Sequence, residues 1–376
     1  MRILSLFSNI GVAEAYLEEI GFDVVLANEI ESKRVEVYKY IYPKTEVICG
    51  DIADKNIEDE IITKAKNLEV DIIMATPPCQ GMSTAGKQDK NDVRNQLIYN
   101  AVNIIKSIMP KYVMLENVPL QIKTKIDYKG NRVAIPEYLN FELGEKYNIN
   151  SYIINTADYG VPQSRERAIF LITRKDIEKI WTLPEKDCEK KTLFDAIGHL
   201  PQLDPLVYDI PYEEHLKMFP KYEENKAKAE KISKWHVPPK HVKRQVEAML
   251  RTPSGHTAFD NCEKYLPRKK NGEIVQGYKN TYKRQSWNIP AFTITMYNRT
   301  ISSQNNVHPG RFIGYDNDGL ELYSDPRVLT LYELMLCMSL PSNWKLPNDA
   351  SESFIRSVIG EGIPPIFVKK LFQQLL

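Results

Sequence analysis

Arg2-Ile3-Leu4-Ser5-Leu6-Phe7-Ser8-Asn9-Ile10-Gly11 is the stretch that decides the fold. A short β-rich apolar run, Ile3 to Phe7, passes through a turn carrying Gly11 into Ala13 to Ile20, whose apolar positions have helical spacing. Strand, tight turn and helix in that order open a βαβ unit and place a small ligand at the carboxyl end of the first strand. Outward from there the pattern repeats. Strands are expected at Val24 to Ala27, Glu46 to Ile48, Asp71 to Ala75, Tyr112 to Leu115, Ile153 to Asn155 and Ala168 to Thr173, with helices at Ser32 to Ile41 and Asp92 to Met109. This is the alternation of an α/β, doubly wound, Rossmann-like sheet.

From about Leu183 the alternation stops, and Pro, Lys and Tyr become frequent until about Tyr323. Helical spacing then returns at Val328 to Met338, Glu352 to Ile359 and Phe367 to Leu376, which are expected to pack back on the first domain. A chain of 376 residues exceeds one comfortable core. The expected division is therefore a domain of residues 1–182 and 323–376 carrying a smaller inserted domain, 183–322. The opening apolar run is too short to span a bilayer and lacks the flanks of a signal peptide. Cys49, Cys79, Cys188, Cys262 and Cys337 lie far apart without a CxxC pair, which argues against a disulfide framework or a zinc site. A cytoplasmic protein without membrane contact is expected.

The formal net charge of +1 gives no reason to invoke nucleic acid, but its distribution does. Lys and Arg outnumber Glu between Lys217 and Arg251, and again between Lys264 and Arg284, where Tyr265, Tyr278 and Tyr282 are interleaved. Such a pattern suits a surface that contacts phosphates, and suits a solvated lysine-rich face equally well.

Three acidic and glycine positions define a candidate ligand cleft: Gly11 after the first strand, Glu29 after the second and Asp51 after the third. A carboxylate offers several acceptor sites and no donor, so Glu29 suits ribose hydroxyls and Asp51 an adenine amino group. After the fourth strand comes Thr76-Pro77-Pro78-Cys79-Gln80-Gly81-Met82-Ser83. Two prolines fix the backbone leading into the thiol, at the sheet edge where doubly wound proteins place their chemistry. The fifth strand ends in Leu115-Glu116-Asn117-Val118 at the same edge. A cysteine so placed could act as a thiolate nucleophile, and a desolvated Glu116 could assist it as a proton donor. Gln163, Arg165 and Arg167 alternate into the next strand and point one way; Arg165 could hold a base carbonyl, bind phosphate or stabilise the thiolate.

Taken in order, Pro78-Cys79-Gln80, Glu116-Asn117-Val118, the spacing Gln163, Arg165, Arg167 and the late run Arg327, Thr330, Glu333, Pro341 resemble the DNA cytosine-5 methyltransferases of bacterial restriction-modification systems. The resemblance covers nearly the whole chain. It implies an S-adenosylmethionine-dependent methyltransferase domain and a target-recognition domain over 183–322. Cys79, Glu116, Arg165 and Arg167 would carry the chemistry. Phe7, Ser8, Asn9, Gly11, Glu29, Ile30, Asp51, Ile52, Pro78, Leu97, Glu361 and Gly362 would border S-adenosylmethionine. The substrate would be double-stranded DNA, whose target base must be flipped out to reach the thiol, with Gln80, Ser83 and the loop through Lys87 facing it. A cognate restriction endonuclease and a monomer on DNA are implied in the same way.

Some positions depart from the family pattern. Asn9 and Val12 stand where further glycines are usual, Ser5 where an acidic residue is usual, and Gly360-Glu361-Gly362-Ile363-Pro364 replaces Gly-Asn-Ala-Val-Pro. Asparagine tolerates left-handed backbone, so Asn9 can preserve the turn. In the variable region Trp287, Arg299, Thr300 and Ser302 to His308 are candidates for DNA contact, while His236 and His241 lack the further ligands of a metal site. A tRNA cytosine-5 methyltransferase and a DNA-binding homologue without activity remain the alternatives.

Overall fold

The computed structural model describes residues 1–78 and 97–376. Cys79, Gln80, Ser83 and Lys87, and the start of the helix expected from Asp92, lie outside the described residues.

Nine strands and four helices precede residue 183: β1 (Arg2–Leu6), β2 (Asp23–Glu29), α1 (Ser32–Ile41), β3 (Glu46–Cys49), α2 (Lys55–Asn67), β4 (Ile72–Ala75), α3 (Leu97–Ile108), β5 (Tyr112–Asn117), the hairpin β6 (Lys125–Tyr128) and β7 (Asn131–Ala134), α4 (Ile135–Leu143), β8 (Tyr147–Asn155) and β9 (Glu166–Arg174), counted among the described residues. Seven of the strands form one sheet in the order β3-β2-β1-β4-β5-β9-β8. The first five run parallel, and β9 runs antiparallel to both β5 and β8. Strand order reverses between β1 and β4, which opens the ligand crevice at their carboxyl ends.

Alternation along the strands builds two cores. Leu4, Leu6, Ile73 and Ala75 face Ile61 and Ala65 of α2, Ile98 and Val102 of α3, and Leu139 of α4. Ile3, Ile72, Met74 and Met114 face the other way, onto Phe22, Trp181 and a C-terminal helix carrying Phe367, Leu371 and Phe372. Fully burying an aromatic of this kind stabilises by about 1.5–3 kcal/mol. The Trp181 indole N–H also donates to the Leu371 carbonyl at 2.9 Å.

Two expectations need correcting. Ala13 to Ile20 forms no α-helix: its bonds close three residues back, Leu17 N to Glu14 O at 2.9 Å and Ile20 N to Leu17 O at 3.2 Å, and only Glu18–Ile20 is a 3-10 turn. The apolar spacing is real, because Ala13 and Leu17 enter the core, but the side chain of Glu14 is drawn beneath β1 by Ser5 and the chain tightens. The strand expected at Ile153 to Asn155 begins earlier, at Tyr147. Its polar positions hide it, since β8 is an edge strand with one neighbour.

Residues 183–322 carry α5 (Leu193–Ile197), β10 (Leu206–Val207), α6 (Tyr212–Met218), α7 (Tyr222–Ile232), β11 (Lys240–His241), α8 (Lys243–Leu250) and β12 (Phe312–Tyr315). The hairpin closes with β13 (Glu321–Tyr323), and the tail consists of α9 (Leu331–Cys337), α10 (Glu352–Glu361) and α11 (Pro365–Gln373). Leu193, Ile197, Ala291 and Ile294 share a core with Ile10 and Val12 and with Leu331, Leu334, Ile355 and Ile359. The tail helices thus seat this region on the sheet.

An ionic node fastens the seat. Arg327 donates to Glu333 through Nη1 and Nη2 at 2.7 and 2.8 Å and to Asp325 at 2.9 Å, all fully buried. Thr330 caps α9, its hydroxyl accepting from Glu333 N while the Glu333 carboxylate accepts from Thr330 N. One glutamate therefore serves both the cap and the ion pair.

Candidate active site

The turn after β1 is set by three left-handed residues, Phe7, Asn9 and Gly11, at φ 58°, 53° and 81°. Gly11 has no alternative, since a Cβ there would lie 2.1 Å from the Tyr42 ring. The Tyr42 hydroxyl donates to Gly11 O at 2.5 Å. Asn9 keeps the left-handed turn and adds contacts: its backbone N–H donates to Glu29 Oε2 at 2.9 Å, and its side-chain amide donates to Val358 O at 3.1 Å. Ser8 bonds back to Asn28 O, and Asn28 reaches Ile48 O and Gly50 O, so the ends of β1, β2 and β3 are laced together.

Of the residues expected to border the cofactor, Glu29 and Ile52 are buried, Ile30 and Asp51 exposed, and Pro78 and Leu97 half-buried. The departures from the family pattern compensate one another. A Cβ on Gly362 would meet Val12 Cβ at 2.8 Å, so a larger residue at position 12 is matched by a smaller one at 362. Ser5 Oγ donates to Glu14 Oε1 at 2.7 Å, which brings a carboxylate to the side chain of the residue that lacks one. Burial pushes Glu14 up to about 7. Glu361 faces Arg34 at 2.8 Å, a partner that sequence spacing did not reveal.

The root of the Cys79 loop is fixed from two sides. Thr76 Oγ1 donates to Phe7 O at 3.1 Å, and Asn117 Nδ2 donates to Pro77 O at 3.0 Å. Glu116, the residue before Asn117, is 7% exposed, and its Oε1 lies 2.7 Å from Arg167 Nε. Burial pushes its carboxyl above the ordinary range, against the pull of Arg167 and Arg165. Arg165 is buried, with Nη1 on Ile294 O at 2.8 Å and Nη2 on Gly360 O at 2.8 Å. Gln163 accepts from Ile294 N at 3.1 Å. The residues read as one alternating set thus divide the work: Gln163 and Arg165 bind the 291–294 segment to the sheet edge, and Arg167 meets Glu116.

Arg299 and Thr300 are exposed on the loop that follows. Tyr297, which spacing did not single out, is 80% exposed beside them. Its neighbour Asn298 is buried, donating to Thr295 O at 2.7 Å and accepting from Arg356 and from Asn306 Nδ2. Other expected DNA contacts are corrected. Asn306, Val307 and His308 are buried, and Trp287 donates to Gly310 O at 2.6 Å and packs edge-on against His308. Among the interleaved tyrosines only Tyr278 is exposed: Tyr282 is buried and Tyr265 lies under Arg251. Arg284 is fully buried on the carbonyls of His308 and Met249. Lys243, Lys264, Lys269 and Lys279 each sit beside a local carboxylate. His236 bonds the Thr330 hydroxyl, and His241 Nε2 accepts from Val328 N, so both serve the seat of the inserted region.

No helix of the described residues is long and apolar enough to cross a membrane. The structure is similar to a prophage-encoded protein of E. coli, at TM-score 0.69 and 19% identity, covering 100% of this chain and 98% of that one. It is also similar to the Entamoeba histolytica methyltransferase EhMeth, at TM-score 0.58 and 17% identity, covering 100% and 97%. In sequence, the chain is 40% identical over 377 aligned positions to the type II methyltransferase M1.HgaI of Avibacterium volantium, covering 99% of this chain and 97% of the relative. It is 31% identical over 281 positions to the type II methyltransferase M.DdeI of Desulfomicrobium norvegicum, covering 72% and 65%. The family model of C-5 cytosine-specific DNA methylase matches residues 1–376. With the sheet, the Glu116–Arg167 pair and the pinned root of the Pro77-Pro78-Cys79 loop in place, the chain belongs to the C-5 cytosine-specific DNA methylases.

Proposed function

We propose that the protein transfers a methyl group from S-adenosylmethionine to carbon 5 of a cytosine in a specific duplex DNA sequence, through a Cys79 adduct to a flipped-out base. The observation that carries this reading is Glu116: a buried carboxyl, raised above its usual range, held by Arg167 on one oxygen and set beside the root of the cysteine loop by Asn117. The Cys79 thiolate adds to carbon 6 of the base, and the carbon 5–carbon 6 pair of electrons moves toward nitrogen 3, where Glu116 donates a proton or a hydrogen bond. Bound S-adenosylmethionine would supply an electrophilic sulfonium methyl, to which carbon 5 would bond as the sulfur–methyl bond breaks and the neutral thioether departs. Nitrogen 3 would return its proton to Glu116, and loss of the carbon 5 proton to a base would expel the thiolate and restore the ring.

The cleft fits that donor. Glu29 is a buried acceptor for ribose hydroxyls, Asp51 an exposed acceptor for an adenine amino group, and Ile30, 59% exposed, an apolar surface beside them. Phe7, Ser8, Asn9 and Gly11 form the turn, Gly362 approaches it at Val12, and Ile52, Pro78, Leu97 and Glu361 complete the proposed border. Arg165, through Ile294 and Gly360, positions the segment that faces the base. Residues 183–322 read the target, with Arg299, Thr300 and Tyr297 on the DNA side. Gln80, Ser83 and Lys87 would approach the DNA from the cysteine loop. A type II restriction-modification setting, with a cognate endonuclease, a monomer on DNA and a cytoplasmic location, follows from the same reading.

The test is a duplex carrying 5-fluorocytosine in the target site. Because fluorine cannot leave as a proton does, a stable protein–DNA adduct is expected from the wild type and none from Cys79→Ser. Methylation mapping of DNA from expressing cells identifies the site to use, and tRNA serves as the competing substrate. Methylation of tRNA and not of duplex DNA overturns the reading.

A further inference from the structure

Arg34 is the third residue of α1, and its side chain is 17% exposed. It faces three carboxylates from two parts of the chain. Nη1 and Nη2 donate to Glu361 Oε2 and Oε1 at 2.8 and 3.3 Å, in a forked pair that joins α1 to the end of α10. Nε lies 3.3 Å from Glu31 Oε2, one turn back. Glu29 adds its field, so that burial, which lowers the arginine's pKa, is outweighed by Glu361, Glu29 and Glu31.

The same carboxylate of Glu361 lies 3.4 Å from the side-chain amide of Asn9, whose backbone N–H is held by Glu29. Glu31 N donates to Glu29 Oε1 at 3.0 Å, so Arg34, Glu361, Asn9, Glu29 and Glu31 form one connected ring at the carboxyl ends of β1 and β2. Among the described residues, removing Arg34 would leave Glu29, Glu31 and Glu361 without an ion-pair partner at this mouth, and burial already drives Glu361 above the usual carboxylate range. A sulfonium amino acid brings its own carboxylate and ammonium to such a mouth. An unpaired Glu361 would repel the former.

We propose that Arg34 is a positioning residue of the donor site: it neutralises and orients Glu361 and clasps α1 to α10 across the cleft, so that the Asn9 turn and the carboxylate at position 361 are compatible with donor binding. The proposal rests on the reading of this cleft as the S-adenosylmethionine site. Its distinguishing property is coupling. Loss of the arginine should be harmful chiefly because Glu361 remains.

The experiment is calorimetric titration of S-adenosylhomocysteine into the full-length protein, without DNA or turnover, beside thermal unfolding of each variant. R34A should bind about 10-fold or more weakly than wild type, whereas adding R34A to E361Q should weaken binding by less than about 3-fold relative to E361Q alone. R34K, which keeps the charge but not the fork, should fall between R34A and wild type. Wild-type affinity in R34A, or a loss of about 10-fold on adding R34A to E361Q, overturns the clasp. Should R34A not fold, R34M/E361Q is compared with E361Q: a difference within about 3-fold supports the clasp, and a loss of about 10-fold or more overturns it. A wild-type chain that fails to bind S-adenosylhomocysteine overturns the donor-site reading itself, an outcome distinct from wild-type binding that the variants leave unchanged.

Discussion

Two arginine–glutamate pairs in this protein have the same closest distance, 2.7 Å, and opposite electrostatics. In Arg327–Glu333 both carboxylate oxygens accept from the guanidinium, Thr330 N donates as well, and the group is held far below its ordinary range against the cost of burial. In Arg167–Glu116 one nitrogen meets one oxygen, and burial wins, so the carboxyl rises. Burial alone does not decide the charge of a glutamate; the number of donors that meet it does. The first pair is consequently a fixed anion that holds the inserted region on the sheet. The second is a carboxyl that retains a proton more readily than a free one, as the proposed role requires.

This contrast breaks most sharply at Glu116. Glu116→Gln should lower the methylation rate by about 100- to 10,000-fold, the usual range for a lost general acid, while leaving the melting temperature close to wild type. In the wild type, activity should fall as pH rises through the raised pKa, because the protonated form is the one depleted. A rate profile for the glutamine variant that keeps the same alkaline limb would place that titration elsewhere.

Arg327 should behave in the reverse way. Arg327→Met leaves Glu333 and Asp325 buried without their cation and should cost about 3–5 kcal/mol in denaturant unfolding. Arg327→Met combined with Glu333→Gln should recover part of that loss. A single variant with wild-type stability would show that the node holds nothing.

A smaller effect sharpens the same comparison in acid. Burial holds His308 down to about 4 and His241 to about 3 from an ordinary 6.5, so both are neutral in the folded chain. Their folded pKa values lie below the unfolded one, so the stability they contribute is present above about 6.5 and is lost as pH falls toward 4. For His308 the loss is on the order of 3 kcal/mol over that window. Unfolding curves at pH 7 and pH 4.5 check this, and His308→Asn should flatten the dependence. An unchanged slope would rule out His308 as its source.

Much of the site was legible because its chemistry is local in sequence. Pro77-Pro78 before a thiol, Glu116 at a strand end, and Gly11 and Asn9 in a left-handed turn are each set by neighbours in the chain. What failed to read was nonlocal or depended on burial. Ala13 to Ile20 has the apolar spacing of a helix, yet its backbone bonds close three residues back and Glu14 is tied to Ser5 on β1, a contact that spacing does not encode. The stretch to Arg284 looks like a phosphate surface, yet Arg284 and Tyr282 point inward, because composition carries no information about which side of a loop meets solvent. Val12 and Gly362 look like independent departures until their 2.8 Å approach shows them to be one exchange.

By itself the sequence determined the strand–helix alternation of a doubly wound sheet, the strand end that carries Glu116, and the family, since periodicity and short motifs are properties of adjacent residues. Only the tertiary structure decided which arginine meets which carboxylate: Arg34 with Glu361, Arg167 with Glu116, Arg327 with Glu333. The first of these pairs joins residues 327 positions apart, and no local pattern encodes it. The energy of a charge depends on its distance to other charges and to water, and those distances exist only once the chain has folded.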